Sequence, residues 1–302
     1  MSNDSESRVP RALTPAGAWV AGARPRTLPA AVVPVVVGTA AAAAAGDVIW
    51  WRMVAAMVVS LAIQVGTNYA NDYSDGVRGT DDERAGPVRL VASGLKPPKA
   101  VKRAAYLSFG VAALAGLALA AAAGWWLVLV GLACFVAGWF YTGGSHPYGY
   151  VGLGEVAVFV FFGLVATAGS SYVHLERLTA LAAGAAVPVG SLATALLVVN
   201  NLRDIPTDTA TGKRTLAVRM GDAPTRALYV ALLVGVPALS AVLLSLSHAG
   251  ALLALAGLLL AVPAVRAVLG GARGRDLVPV LARTGQVQLA YGLLLAAGLA
   301  WW

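Results

Sequence analysis

The chain has 302 residues, 59% of them hydrophobic and only 12% charged, with a net charge of +8 at neutral pH. That apolar share exceeds what an ordinary soluble domain carries, and the lone Cys134 excludes a disulfide framework or a thiolate metal site within one chain. The positive charge does not point to nucleic acid, because the basic residues sit in short connections between apolar stretches, where membrane insertion and anionic headgroups account for them.

Residues 1–28 are expected to form a cytoplasmic N-terminal segment, and 29–302 a single polytopic membrane domain. Met1–Val9 is polar and lacks an apolar run followed by a small-residue cleavage site, so no secretory signal is expected. A bilayer-spanning helix needs roughly 20 mostly apolar residues, and about nine such windows follow one another. They are Pro29–Ala45, Trp51–Asn71, Ala105–Ala123, Trp125–Tyr141, Leu153–Tyr172, Leu178–Asn200, Ala227–Ser247, Ala249–Leu269 and Val287–Trp302.

With the N-terminus inside, all of the 22 Lys and Arg residues except Arg52 and Arg177 fall on the cytoplasmic side. The positive-inside rule therefore favours nine spans with the C-terminus outside. Trp50, Trp51, Trp125, Trp126, Trp301 and Trp302 then mark the outer interface. The Ala-Gly-Val-rich composition suggests a bacterial source and hence its inner (plasma) membrane.

Two acidic stretches stand at cytoplasmic span ends. The first runs Asn68-Tyr-Ala-Asn71-Asp72-Tyr-Ser-Asp75-Gly-Val-Arg78-Gly-Thr-Asp81, and the second Asn200-Asn201-Leu-Arg203-Asp204-Ile-Pro-Thr-Asp208. On a helix, Asn68, Asp72 and Asp75 share one face, as do Asn200, Asp204 and Asp208. Ionisable groups at membrane depth face a cavity, a partner or an ion, and two facing carboxylate clusters repel unless cations bridge them. Hard oxygen ligands without His or Cys point to Mg²⁺, which binds through a few carboxylates plus substrate phosphates. A diphosphate is the natural third party, with Arg78, Arg84, Arg203, Lys213 and Arg214 placed to hold its remaining oxygens. The loop from Tyr141 through His146, Tyr148 and Tyr150 to Glu155 adds aromatic faces and an acceptor on the same side.

At these residues the chain resembles the UbiA superfamily of intramembrane aromatic prenyltransferases. The resemblance covers nearly the whole chain: the spans, the first Asp-rich motif, the Tyr-Thr-Gly-Gly…Pro-Tyr-Gly-Tyr…Gly-Leu-Gly-Glu155 loop, and Asn-Asn-Leu-Arg-Asp…Asp208…Gly-Lys-Arg-Thr-Leu. Gly79 stands where the superfamily pattern has its last Asp. The arrangement ending in Asp81 follows instead the subgroup that acts on 1,4-dihydroxy-2-naphthoate, although His146 stands where that subgroup commonly has Arg. The resemblance implies an all-α membrane protein of about nine transmembrane helices around a central cavity, with cytoplasmic cap loops.

It also implies Mg²⁺ held by Asp72, Asp75, Asp204 and Asp208 with Asn68 and Asn200 assisting, and a substrate site that includes Asp81, Tyr148 and Glu155. The implied reaction joins a polyprenyl diphosphate to 1,4-dihydroxy-2-naphthoate with decarboxylation, giving demethylmenaquinone, pyrophosphate and CO₂. Tyr141, Tyr148 or Tyr69 would stabilise the allylic cation. The rivals are a prenyltransferase with another aromatic acceptor and an ion-coupled transporter, which also carries intramembrane acids. A phosphatidyltransferase using CDP-alcohols would need a Gly-x-x-x-Asp-x-x-x-Asp continuation that is missing after Asp75.

Overall fold

The computed structural model describes residues 14–79 and 89–301, and within them every regular element is helical. In chain order these are α1 (Pro15–Ala23), α2 (Pro29–Ala45), α3 (Trp50–Arg78), α4 (Pro98–Ala123), α5 (Leu127–Phe140), α6 (Gly154–Leu175), α7 (Ala180–Ala210), α8 (Leu216–Met220), α9 (Asp222–Ser245), α10 (Ala249–Leu269) and α11 (Leu277–Trp301).

All nine expected windows fall in helices, but fewer helices meet the length and hydropathy of a span. Among the described residues six do: α3, α4, α6, α7, α9 and α10. The count rises to seven if α2 is joined to the preceding Pro15–Thr27 segment, across a bend of 52°. Helix α5 has only 14 residues. Helix α11 has 25, but Arg283, Gln286 and Gln288 dilute its apolar run. The protein is thus a multi-pass membrane protein.

Helix α7 is the most enclosed span, with 72% of its most apolar window buried against 22% to 33% in the others. Its Val189, Leu192, Val198, Val199 and Leu202 join Val33 and Val37 of α2, Tyr229 and Leu233 of α9, and Leu277, Tyr291 and Leu295 of α11 in the largest apolar core. A second core gathers Val35, Ala56, Leu119 and Val173 from α2, α3, α4 and α6.

Close approach replaces side-chain packing where α6 meets α7. A Cβ on Gly163 would stand 2.4 Å from the Gly190 Cα, inside any real contact distance. Gly163→Ala is expected to force the two helices apart at a cost of about 1 to 3 kcal/mol, seen as a drop of several degrees in the thermal unfolding midpoint in detergent. An unchanged midpoint would show that the pair tolerates separation.

Helices α3 and α7 run beyond the expected span ends at Asn71 and Asn200, to Arg78 and Ala210. Both acidic motifs consequently lie on continuous helix rather than in loops. Helix α3 ends at Gly79, which adopts a left-handed conformation (φ 72°). That is the usual terminator geometry, one that an Asp at this position would adopt less readily.

Candidate functional site

A cavity of about 630 Å³ lies between α2 to α7. One region is apolar, lined by Val35, Val59, Leu119, Val130, Phe161 and Leu196. The lining residues of α6 recur every fourth position, as Ala157, Phe161, Val165, Gly169 and Val173, beside Val158, Phe162, Ala166 and Ser170. A regular α-helix turns every 3.6 residues, so such rows would drift by about 40° per step. Phe159–Val165 is a π-helical segment, whose wider turn offsets that drift.

The polar region is built from the ends of α3 and α7, the bend before α2, and two loops. It presents Asn68, Asn71 and Asp75, Asn200, Asn201, Arg203 and Asp208, Arg24 and Arg26, Arg89, Tyr141, Tyr148, Tyr150 and Lys213. The two sequence motifs therefore share one cavity.

Their residues serve different ends. Asn68 donates to the Ala23 carbonyl at 2.9 Å and to Thr27 Oγ1 at 3.2 Å, while its Oδ1 accepts from Gln64 at 3.3 Å. It thereby ties α3 to the bend before α2. Asp72, expected as a metal ligand, is fully buried and absent from the cavity wall; its two oxygens accept the Leu90 N–H at 2.8 Å and the Val91 N–H at 3.0 Å. The carboxylate anchors the backbone of the 89–94 turn.

Asp75 faces the cavity and accepts from the Tyr150 hydroxyl at 2.6 Å. Arg78, expected to hold phosphate, donates to the carbonyls of Thr142 and Gly144 and stays off the cavity wall. Its two ends of the guanidinium fork are used in fastening the loop. Asp81 and Arg84 lie outside the described residues.

On α7, Asp204 is likewise buried behind the wall. It takes Arg203 Nε at 2.7 Å and Nη2 at 2.8 Å, and the same Nη2 donates to Asn200 Oδ1 at 2.9 Å. The pair orients the Arg203 guanidinium, which does line the cavity. Asp208 faces the cavity as expected. Lys213 also lines it, with Nζ 3.8 Å from Asp75 Oδ1, whereas the side chain of the exposed Arg214 is not part of the wall.

In the loop between α5 and α6, Tyr141 and Tyr148 both face the cavity, with ring centroids 5.6 Å apart at 78°. The Tyr148 hydroxyl donates to the Ala137 carbonyl at 2.7 Å, and burial pushes its phenol up to about 12, so it stays neutral across the physiological range. Tyr69 turns away, donating to the Trp19 carbonyl at 2.9 Å. Glu155 does not reach the cavity; its Oε1 accepts from Asn201 Nδ2 at 2.9 Å and so holds an amide that does. His146 is exposed and pairs with Ser145.

Sequence reasoning missed Arg24, Arg26, Arg89, Gln64 and Tyr150 as site residues. The arginines were fully explained as topology signals, and only a polar Gln64 one turn before Asn68 in an apolar span hinted at more. Arg24 has a left-handed backbone (φ 54°), and its Nη2 is buried without a partner, as is Arg203 Nη1. Two unsatisfied guanidinium donors on one cavity wall are the mark of a site made for an anion.

An apolar chamber with an oxygen-rich, cation-lined end suits an amphiphile with a charged head. The chain belongs to the UbiA prenyltransferase family, which residues 31–277 match. It is 50% identical over 281 residues to the 1,4-dihydroxy-2-naphthoate octaprenyltransferase of Mycobacterium leprae (strain TN), covering 93% of this chain and 95% of that one. It is also 50% identical over 282 residues to the enzyme of the same name from Mycobacterium tuberculosis (strain ATCC 25618 / H37Rv), covering 93% and 96%. The fold is shared with a UbiA homolog from Archaeoglobus fulgidus bound to GPP and Mg²⁺, at a TM-score of 0.65 and 13% identity, over 93% of this chain and 99% of that one.

Proposed function

We propose that this protein transfers a polyprenyl group from an allylic polyprenyl diphosphate to 1,4-dihydroxy-2-naphthoate, with loss of the acceptor's carboxylate, in menaquinone biosynthesis. The observation that carries the reading is the joining of an arginine-lined, oxygen-rich end to an apolar chamber in one cavity. Identity of 50% to two relatives of that name supports the choice of acceptor.

The donor set suits Mg²⁺. No three His, Cys, Asp or Glu side chains converge among the described residues, but Mg²⁺ needs only one or two carboxylates when substrate phosphates complete its shell. Asp75 and Asp208 supply these, with the amide oxygens of Asn71 and Asn200 beside them. Asp72 and Asp204 then act behind the wall, one fixing the 89–94 turn and the other aiming Arg203. When bound, Mg²⁺ neutralises the diphosphate and stabilises it as it leaves.

Arg24, Arg203 and Lys213 hold the oxygens of the diphosphate, and the prenyl chain lies along the apolar wall, where exclusion of water protects the allylic cation. The faces of Tyr141 and Tyr148 stabilise that cation by about 2 kcal/mol or more when desolvated. The donor's C–O bond breaks with its electrons leaving on pyrophosphate. The ring carbon bearing the carboxylate forms the new C–C bond, and the electrons of the C–CO₂ bond return to the ring as CO₂ departs. The product is the prenylated naphthoquinol, demethylmenaquinone in its reduced form.

On this reading nine crossings place the acidic end and the N-terminus on the cytoplasmic side of a bacterial plasma membrane, consistent with the charge distribution. Residues 14–28 belong to the catalytic unit rather than to a separate segment, because Arg24 and Arg26 line its cavity. Purified protein in lipid, given Mg²⁺, a polyprenyl diphosphate and 1,4-dihydroxy-2-naphthoate, is expected to release pyrophosphate and CO₂ and to form the prenylated quinol, with little product from 4-hydroxybenzoate. Folded protein that prenylates neither acceptor would refute the assignment.

A further inference from the structure

We infer that Tyr150 is a positioning residue that sets the orientation of Asp75 and gathers the cations around it; the inference rests on the metal-diphosphate reading of the cavity. Four observations meet at this side chain. Its hydroxyl donates to Asp75 Oδ1 at 2.6 Å, the oxygen that Lys213 Nζ approaches to 3.8 Å. Lys213 Nζ lies over the Tyr150 ring at 4.6 Å from its centroid, and Arg78 Cζ at 5.6 Å. The Tyr150 carbonyl accepts the Arg214 N–H at 2.8 Å. Arg78 in turn fastens the Thr142 and Gly144 carbonyls.

One tyrosine thus joins the end of α3, the loop before α6 and the turn after α7, three segments remote in sequence. The physical division of labour follows from its two parts. The hydroxyl restricts rotation of the Asp75 carboxylate, which otherwise swings about two torsions and loses entropy on taking up a ligand. The ring holds two cations by cation–π attraction, each worth about 0.5 to 2 kcal/mol depending on desolvation, and keeps Lys213 at the cavity wall.

Two variants separate these roles. Tyr150→Phe removes only the hydroxyl, and Tyr150→Leu removes the ring as well. Binding of Mn²⁺ in the presence of inorganic pyrophosphate, followed by electron paramagnetic resonance on the full-length protein in lipid, reads the site without turnover. Tyr150→Phe is expected to weaken Mn²⁺ binding about tenfold, and to raise the Mg²⁺ concentration for half-maximal turnover in parallel, with the acceptor KM and the thermal midpoint unchanged.

Tyr150→Leu is expected to weaken pyrophosphate binding further and to speed hydrogen exchange across residues 141–153. Wild-type-like Mn²⁺ binding by Tyr150→Phe, where the wild type binds Mn²⁺ with pyrophosphate, overturns the positioning role alone. Failure of the wild type to bind the pair overturns the metal-diphosphate reading and this inference with it.

Discussion

Asp75→Asn is expected to lower turnover about a thousandfold, close to 4 kcal/mol of lost transition-state stabilisation, while leaving the protein folded. Asn keeps the size of the side chain and an oxygen that accepts from Tyr150, so the packing survives and the negative charge alone is removed. The contrast is Asp72→Asn. Both Asp72 oxygens accept backbone N–H groups, and a carboxamide presents an NH₂ to one of them. A buried bond of this charged kind is worth about 1.5 to 3 kcal/mol, so Asp72→Asn should lower the thermal midpoint and expose the 89–94 turn to protease. Pyrophosphate release at saturating substrates and Mg²⁺, alongside thermal unfolding, checks both. The assignment fails if Asp75→Asn retains more than about a tenth of wild-type turnover, or if Asp75→Asn is the destabilised variant and Asp72→Asn is not.

Arg24→Gly is expected to raise the KM for the prenyl diphosphate by about 30- to 100-fold, the 2 to 3 kcal/mol typical of a charge-assisted hydrogen bond. Glycine is the informative replacement because the left-handed backbone at Arg24 costs about 1 to 2 kcal/mol for any residue with a Cβ. The variant should therefore be no less stable than the wild type, which separates loss of the guanidinium from loss of the fold. Arg24→Lys keeps the charge but not the fork and should lie between the two. Initial rates against donor concentration at saturating acceptor give the answer. A rise confined to the acceptor KM would assign Arg24 to the naphthoate carboxylate, and no change in either would remove it from the site.

Much of this architecture can be read from residue order alone. The apolar windows became helices, and the two Asn/Asp motifs met in a single cavity, as their shared side of the membrane required. Long-range partners were what periodicity could not reveal. Helices α3 and α7 continue past Asn71 and Asn200 because Leu90, Val91 and Arg203 satisfy carboxylates that would otherwise end an apolar helix. For the same reason Asp72 and Asp204, the two acids that most resembled metal ligands in sequence, stand behind the cavity wall while Asp75 and Asp208 face it. Arg24 was hidden by a sufficient simpler explanation, since any cytoplasmic arginine satisfies the positive-inside rule. Its significance appears only with the bend that turns it inward.

The π-helical turn at Phe159–Val165 constrains how this protein can vary over evolutionary time. Deleting any one residue there would restore regular α-helical winding and rotate everything downstream in α6 by about 100°. Gly169, Ser170 and Val173 would leave the chamber wall, and His174 would lose its place between Thr39 and the Ile49 N–H. Substitutions that preserve size can accumulate in this segment, but a change of one in its length cannot, so its residue count is itself an inherited trait.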